Sequence, residues 1–293
     1  MDISLIIIGR NTLDSLKSVL AAINQIKFNN NCEVIYVDDA SSDGSVNYFN
    51  SFNLKFDKKV FSFSKKGGRV AARQKAIDLS SYDWVCFIQS NVLPNKLLLF
   101  EYAKLIEETD AVGFAGQINY QSEDAAFESY LNRKKRGLNC YFHKEKIHFR
   151  NLLFGNCMIK KSVFKKVPLN TSLTSYGGSE LDFSFRLLKK YPNKIIANKY
   201  SFVTRINHLG FKEHCKKLTE YGFLNFNLLP KKLKDEVIKF PFLLHRSSIF
   251  KILCLCLLFL CFRTYKIQFL SINILSIRVG MLCAILRGYY NSK

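Results

Sequence analysis

Short apolar runs that stop on polar residues, separated by stretches with apolar positions three and four apart, set the pattern of the first hundred residues. Ile3–Ile8 is one such run, closed by Gly9-Arg10-Asn11, and Val34-Ile35-Tyr36-Val37 is another, ending on Asp38-Asp39 and the turn Ala40-Ser41-Ser42-Asp43-Gly44-Ser45. Runs of β-formers bounded by Ser, Asp and Gly predict strands buried on both faces. Val60–Phe63 and Trp84–Ile88 predict two more. Between them Leu13, Leu16, Leu20 and Ile23 fall at helical spacing, with Asn11 or Thr12 as N-cap, and Val46–Phe52 reads as a short helical piece. Gly67-Gly68 opens an Ala/Arg/Lys-rich helix, and Asn95–Glu108 predicts another. Strands alternating with helices over short links predict an α/β chain with a mostly parallel sheet.

Beyond residue 110 the pattern loosens. Ala111–Tyr120 is strand-like, residues 121–150 are basic and aromatic around Arg133-Lys134-Lys135-Arg136, and Gly155-Asn156 precedes an apolar run. Tyr176-Gly177-Gly178-Ser179-Glu180-Leu181-Asp182 leads into a helix whose Phe183, Leu187 and Leu188 face a core. From about Lys216 basic and aromatic residues mix: Lys216-Lys217, Lys231-Lys232-Leu233-Lys234 and Arg246 among Tyr221, Phe223, Phe226, Leu228 and Leu229. Ile249–Phe262 is nearly all apolar but only 14 residues long, short of the ~20 that cross a bilayer. Ile267–Leu286 is long enough but carries Asn273 and Arg278. The division expected is 1–215 as the α/β domain and 216–293 as basic, hydrophobic helices lying in a membrane interface, with a spanning hairpin or plain core helices as alternatives.

Charge sharpens this. The net charge of +21 divides into +11 over residues 1–215 and +10 over the last 78, so the tail is both the most basic part per residue and the greasiest. That pairing points to an anionic membrane, on the cytoplasmic face, in preference to nucleic acid, for which no zinc finger, aromatic RNA-binding signature or helix-turn-helix is visible. Nine cysteines without a C-x-x-C pair read as reduced thiols, and Met1-Asp2 runs into the first strand without a basic signal-peptide region.

Ligands of open α/β sheets bind outside the carboxyl ends of strands. Those ends carry Asp38-Asp39 and Gln89-Ser90-Asn91, and a glycine pair at a helix start offers N–H groups to an anion. Each also has a plain reading: Asp38 and Asp39 as turn formers, Gly67-Gly68 as a tight turn, Glu180 as a helix-end acid, Asp182 as structural, His208 as a core histidine, 133–136 as a solvated face.

As an ordered set over residues 3–215, these motifs resemble the inverting family 2 glycosyltransferases of GT-A fold, a Rossmann-like, mostly parallel sheet flanked by helices, of the membrane-associated bacterial cell-envelope type. Val37-Asp38-Asp39-Ala40-Ser41-Ser42-Asp43-Gly44-Ser45 is close to the family's nucleotide-binding V-D-D-x-S-x-D-G-S. Gly68–Ile77 is similar to its G-x-x-A-A-R-N-x-G-I, Gly155-Asn156 to its G-N, and Gly177–Leu187 to its G-G-E-D-x-D-L-x-x-R-L. The resemblance implies a nucleotide-sugar donor, a UDP-sugar first, bound by Ile8, Asn11, Asp38, Asp39, Gly68, Arg73, Gln89, Ser90 and Asn91. It implies Glu180 as the base that deprotonates an acceptor hydroxyl, since Ser179-Glu180 stands where the family has Glu-Asp. Gly155, Asn156, Asp182, Arg205, His208 and Lys212 are the diphosphate and acceptor candidates, and the acceptor is expected to be lipid-linked or a growing polysaccharide. The family places D-x-D at Gln89-Ser90-Asn91 to hold Mg2+ or Mn2+; two amides lack the anionic oxygens such ions prefer. No metal site is therefore assigned, Asn91 and His208 being the only candidate ligands, and Lys66, Arg69, Arg73, Arg205 and Lys212 are expected to neutralise the leaving group. The altered D-x-D also admits a catalytically inactive homologue that partners an active transferase.

Overall fold

The computed structural model describes residues 1–245, 247–267 and 269–292; Arg246 of the basic tail lies outside them. The first apolar runs form β1 (Ile3–Gly9), followed by α1 (Leu13–Ile23), and β2 (Cys32–Asp38), followed by α2 (Ser45–Ser51). Nearly every residue of both strands is buried, as continuous apolar strands require when helices cover both faces of a sheet. Side chains alternate between two cores: Ile3, Leu5 and Ile7 join α1, while Ile6 and Ile8 pack on the opposite side. There they meet α3 (Arg69–Leu79), which follows the edge strand β3 (Asp57–Ser62). β3 begins three residues before its apolar core at Val60, because backbone pairing with β2 starts at Asp57.

β4 (Trp84–Gln89), the short β5 (Val92–Pro94), α4 (Leu98–Glu108), β6 (Gly113–Tyr120) and α5 (Ala125–Leu131) come next. β7 (Asn156–Lys160), α6 (Ser162–Lys166), α7 (Ser179–Lys190) and β8 (Ile195–Arg205) complete the α/β part. Among the described residues the sheet has eight strands in the order β3-β2-β1-β4-β7-β6-β8-β5. The first four run parallel; β7 is antiparallel to both its neighbours, and β5 is antiparallel to β8, so the sheet is mixed. Register aligns Gly9 with Asp38 and Ile8 with Gln89, which brings the carboxyl ends of β1, β2 and β4 into one row.

A third core joins α5 to the tail: Phe127 and Tyr130 pack with Phe211 and Cys215 of α8 (Phe211–Phe223), and with residues of α9 (Lys231–Val237), α10 (Ser248–Thr264) and α11 (Leu270–Asn291). The expected division at 215/216 therefore falls inside α8, a single helix whose Phe211, Cys215 and Tyr221 all face this core. Ser271–Asn291 is the one stretch among the described residues long and apolar enough to cross a membrane.

Candidate active site

The two carboxylates at the end of β2 do different work. Asp38 is wholly buried and accepts hydrogen bonds from the Ser41 N–H (2.8 Å), the Ser41 hydroxyl, Ser62 Oγ (2.9 Å) and Tyr36 OH (3.3 Å). It stabilises the turn and does not line the cleft, correcting its expected role in donor binding. Asp39 faces the other way: Oδ1 accepts from the N–H groups of Gly67 (2.6 Å) and Gly68 (3.0 Å), and Oδ2 lies 3.1 Å from the Gly68 nitrogen. Gly68 has φ +86°, and a Cβ there would sit 2.5 Å from the Thr174 carbonyl oxygen, so only glycine lets α3 start against this loop. Asn11 clamps the neighbouring turn, its N–H donating to Ser41 Oγ (2.7 Å) and its side-chain oxygen accepting from the Ser42 N–H (2.9 Å).

These ends open into a cleft of about 660 Å³, within the range of small-molecule sites. Ile8, Asn11, Asp39, Gly68, Arg73, Gln89, Ser90, Asn91 and Arg205 line it, so most of the expected donor set converges. Lys66 and Arg69 stand on its wall with Arg205. So do Tyr176, Asn207, Lys217 and Glu220, which were not among the expected site residues. Tyr176 is flanked by two cations, the Arg69 guanidinium at 5.1 Å and the Lys217 ammonium at 5.8 Å from its ring centre. Its loop is held from below by Asn225, whose amide donates to the carbonyls of Ser175 (2.9 Å) and Gly177 (2.7 Å).

Arg73 sits at the rear wall, 2% exposed, its ring-like plane over Phe154 at 4.4 Å. Nη2 donates to Glu180 Oε1 at 2.6 Å and Nη1 to Ser179 Oγ at 3.2 Å. Burial pushes the guanidinium's pKa down, and the Glu180 charge works against that shift. Glu180, expected to meet an acceptor directly, is the counter-ion of Arg73: Oε1 takes that bond, and although the residue is not among those lining the cleft, its side chain stays 23% exposed.

Five other candidates lie off the cleft. Asp182 is buried in an ion pair with Arg186 (2.7 Å) on the next helical turn. Asn156 accepts from Tyr102 OH (2.8 Å) and donates to the carbonyls of Gln117 and Ser201 (2.9 Å each), so both amide hydrogens are spent tying β7 to β6 and β8. Gly155 is buried beside Ile118, allowing the chain to pass close to Gln89. Lys212 lies 6.0 Å from the Phe262 ring. His208 is buried against Tyr120, Phe127 and His214, and neither ring nitrogen has a hydrogen-bond partner among the described residues. Burial, with Arg205, His214 and Arg136 nearby, depresses its pKa to about 3. It is a core histidine and does not converge with Asn91.

The end of β4 does not suit a hard divalent cation. Gln89 and Asn91 are neutral, the Asn91 amide donates to the Ile206 carbonyl (3.2 Å), and the Asp39 carboxylate is engaged by backbone N–H groups. Among the described residues no three His, Cys, Asp or Glu side chains cluster as metal ligands. Anionic oxygens are what such ions select; beside the acids Asp14, Asp39, Asp43 and Glu220, the wall carries Arg10, Lys66, Arg69, Arg73, Arg205 and Lys217.

The sequence model of glycosyl transferase family 2 matches residues 4–168. No curated protein matches the chain. In fold, the chain is similar to S. aureus TarS 1-349 solved with UDP-GlcNAc, at 16% identity and TM-score 0.59, over 99% of this chain and 90% of that one. Against a longer S. aureus TarS the TM-score is 0.55 and the identity 18%, and the chain spans 42% of that protein's length. The mannosyltransferase PcManGT from Pyrobaculum calidifontis, solved with GDP-Man and Mn2+, is similar at 12% identity and TM-score 0.57, over 77% of this chain and 63% of that one.

Proposed function

The chain belongs to glycosyl transferase family 2 and is thus a glycosyltransferase working from a nucleotide-sugar donor; from that premise we propose a reaction in which a UDP-sugar is bound in this cleft and its sugar passes, with inversion, to a lipid-linked or polysaccharide acceptor at the cytoplasmic face of the membrane. The observation that carries the reading is the meeting of Asp39 with the cation-lined cleft at the strand ends. A carboxylate there accepts the imide N–H of uracil, which is acidic and turned outward from the ribose. Lys66, Arg69 and Arg205 then neutralise the diphosphate as negative charge builds on the departing oxygen. The acceptor hydroxyl attacks the anomeric carbon in line; its proton goes to Glu180 Oε2, the new glycosidic C–O bond forms, and the bond to the diphosphate breaks, releasing UDP. Arg73 fixes the ionised carboxylate by holding Oε1.

The solved relatives were captured with UDP-GlcNAc and with GDP-Man, which supports a nucleoside-diphosphate donor. Calorimetry against UDP, GDP, ADP and their sugars, followed by product release, tests the reading. UDP binding with sugar transfer is expected. Retained UDP binding without any donor turnover would support an inactive partner of another transferase, the reading favoured by the amides at 89 and 91.

A further inference from the structure

Helix α10 is apolar on the wrong side. Its buried face carries Cys254 and Leu258, which join the third core, and Cys261, yet the opposite stripe Ile249, Ile252, Leu253, Cys256, Phe259 and Leu260 is exposed, Ile249 by 76% and Phe259 by 61%. Spacing of three and four puts these six on one face, where a helix facing water would carry polar side chains. Phe242, itself exposed, extends the patch, its ring 6.4 Å from that of Phe250.

We infer that this face lies in one leaflet of an anionic bilayer, with α10 parallel to the membrane plane and neither tail helix crossing it. The inference deepens, and rests on, the membrane-facing acceptor proposed above. At 17 residues α10 reaches about 25 Å, less than the ~30 Å hydrocarbon core. α11 is long enough, but it is locked to α8: a Cβ at Gly222 would lie 2.0 Å from the Ile285 carbonyl oxygen, and one at Gly288 2.0 Å from that of Thr219. α8 carries exposed Lys212, Glu213, Lys216 and Lys217 and contributes Lys217 and Glu220 to the cleft. A spanning α11 would draw those charges into hydrocarbon or tear α8 from the site.

Charge identifies the occupant. From residue 237 onward the chain has eight Lys or Arg and no Asp or Glu. Lys251 on α10 is exposed, Arg263 stands at its far end over Phe259 (4.9 Å from the ring centre), and Lys266 follows. Such a surface attracts anionic headgroups and repels a second copy of itself.

The test is co-sedimentation of the full chain with vesicles of phosphatidylglycerol and phosphatidylcholine, against phosphatidylcholine alone. Preference for the anionic vesicles is expected, and Ile252→Asp with Phe259→Asp should weaken partitioning about tenfold or more while leaving the UDP affinity unchanged. In a Phe259→Trp variant, quenching should be strongest by lipids brominated near the headgroup. Failure to bind vesicles, or strongest quenching by lipids brominated at the chain ends, overturns the inference. So does a dimer in light scattering that the double substitution dissolves while vesicle binding stays absent, since a second copy would then cover the face. Vesicle binding without sugar transfer leaves this surface standing and removes the proposed reaction; transfer without vesicle binding does the reverse.

Discussion

Glu180 is asked to be two things, a base and the counter-ion of Arg73, and substitution separates them. Glu180→Gln keeps a side chain of the same length that still accepts from Arg73, but removes the charge opposite a guanidinium that is 2% exposed. Breaking a fully buried pair costs ~3–5 kcal/mol; because Glu180 is 23% exposed and water can screen its side, about 2 kcal/mol is the better expectation. For a chain of this length that corresponds to a fall in Tm of about 3 °C. If Glu180 is also the base, transfer should drop by ~10²–10⁴ at saturating donor, with UDP affinity by calorimetry held. Replacing both partners, Arg73→Met with Glu180→Met, removes the stranded charge as well as the pair and should return most of the lost stability. It should not return transfer. The base assignment is refuted if Glu180→Gln melts earlier yet keeps kcat within about threefold of the parent. Glu180 would then be a structural counter-ion, and Glu220, one of the acids on the cleft wall, would be the next candidate for the role.

The cleft makes further outcomes checkable. Gly68→Ala forces a Cβ to 2.5 Å from the Thr174 carbonyl at φ +86°, so a loss of about 2–4 kcal/mol in chemical unfolding is expected, with UDP binding lost because the N–H groups that hold Asp39 shift; normal binding and stability would contradict this geometry. Glu220→Gln, opposite Lys217 at 2.9 Å on an exposed face, should change stability by less than about 0.5 kcal/mol and leave kcat largely intact if Glu180 is the base. Adding EDTA should leave transfer nearly unchanged; abolition, with rescue by Mn2+, would make the amides at the end of β4 ligands after all. Burial lowers the pKa of His208 to about 3 and of His214 to about 4, from 6.5. The unfolded chain therefore binds protons that the folded one refuses, and stability should fall as pH drops from 6.5 towards 4, by up to about 1.4 kcal/mol per pH unit for each histidine. His208→Phe should flatten that slope in urea melts at graded pH; an unchanged slope would mean the buried ring is already protonated.

What the sequence disclosed was local. β2 could be read because four β-formers end on carboxylates, and the cleft position of Asp39 because it stands at a strand's carboxyl end; nothing local told it from Asp38, whose carboxylate is taken up by the turn. Gly155-Asn156 looked like a ligand motif, but the amide answers to a helix and two strands, one of them 45 residues away. The pairing of Arg73 with Glu180 spans 107 residues, beyond any periodicity. α8 shows the cost of reading composition as domain structure. Its lysines and the greasy helices after it share a composition, yet Lys217 and Glu220 face the cleft, the ring of Tyr221 seats the Gly177-Gly178 turn, and Asn225 just beyond holds the loop that carries Tyr176. The helix start that bears Glu180 is thus shaped by residues after 216. Truncation at that point would not free a nucleotide-binding domain from its membrane anchor; it would remove one wall of the cleft and the support of the loop leading to the proposed base. The same helix that closes the site is clamped backbone to backbone against α11, so the orientation of the tail at a surface and the shape of the cleft belong to one rigid arrangement.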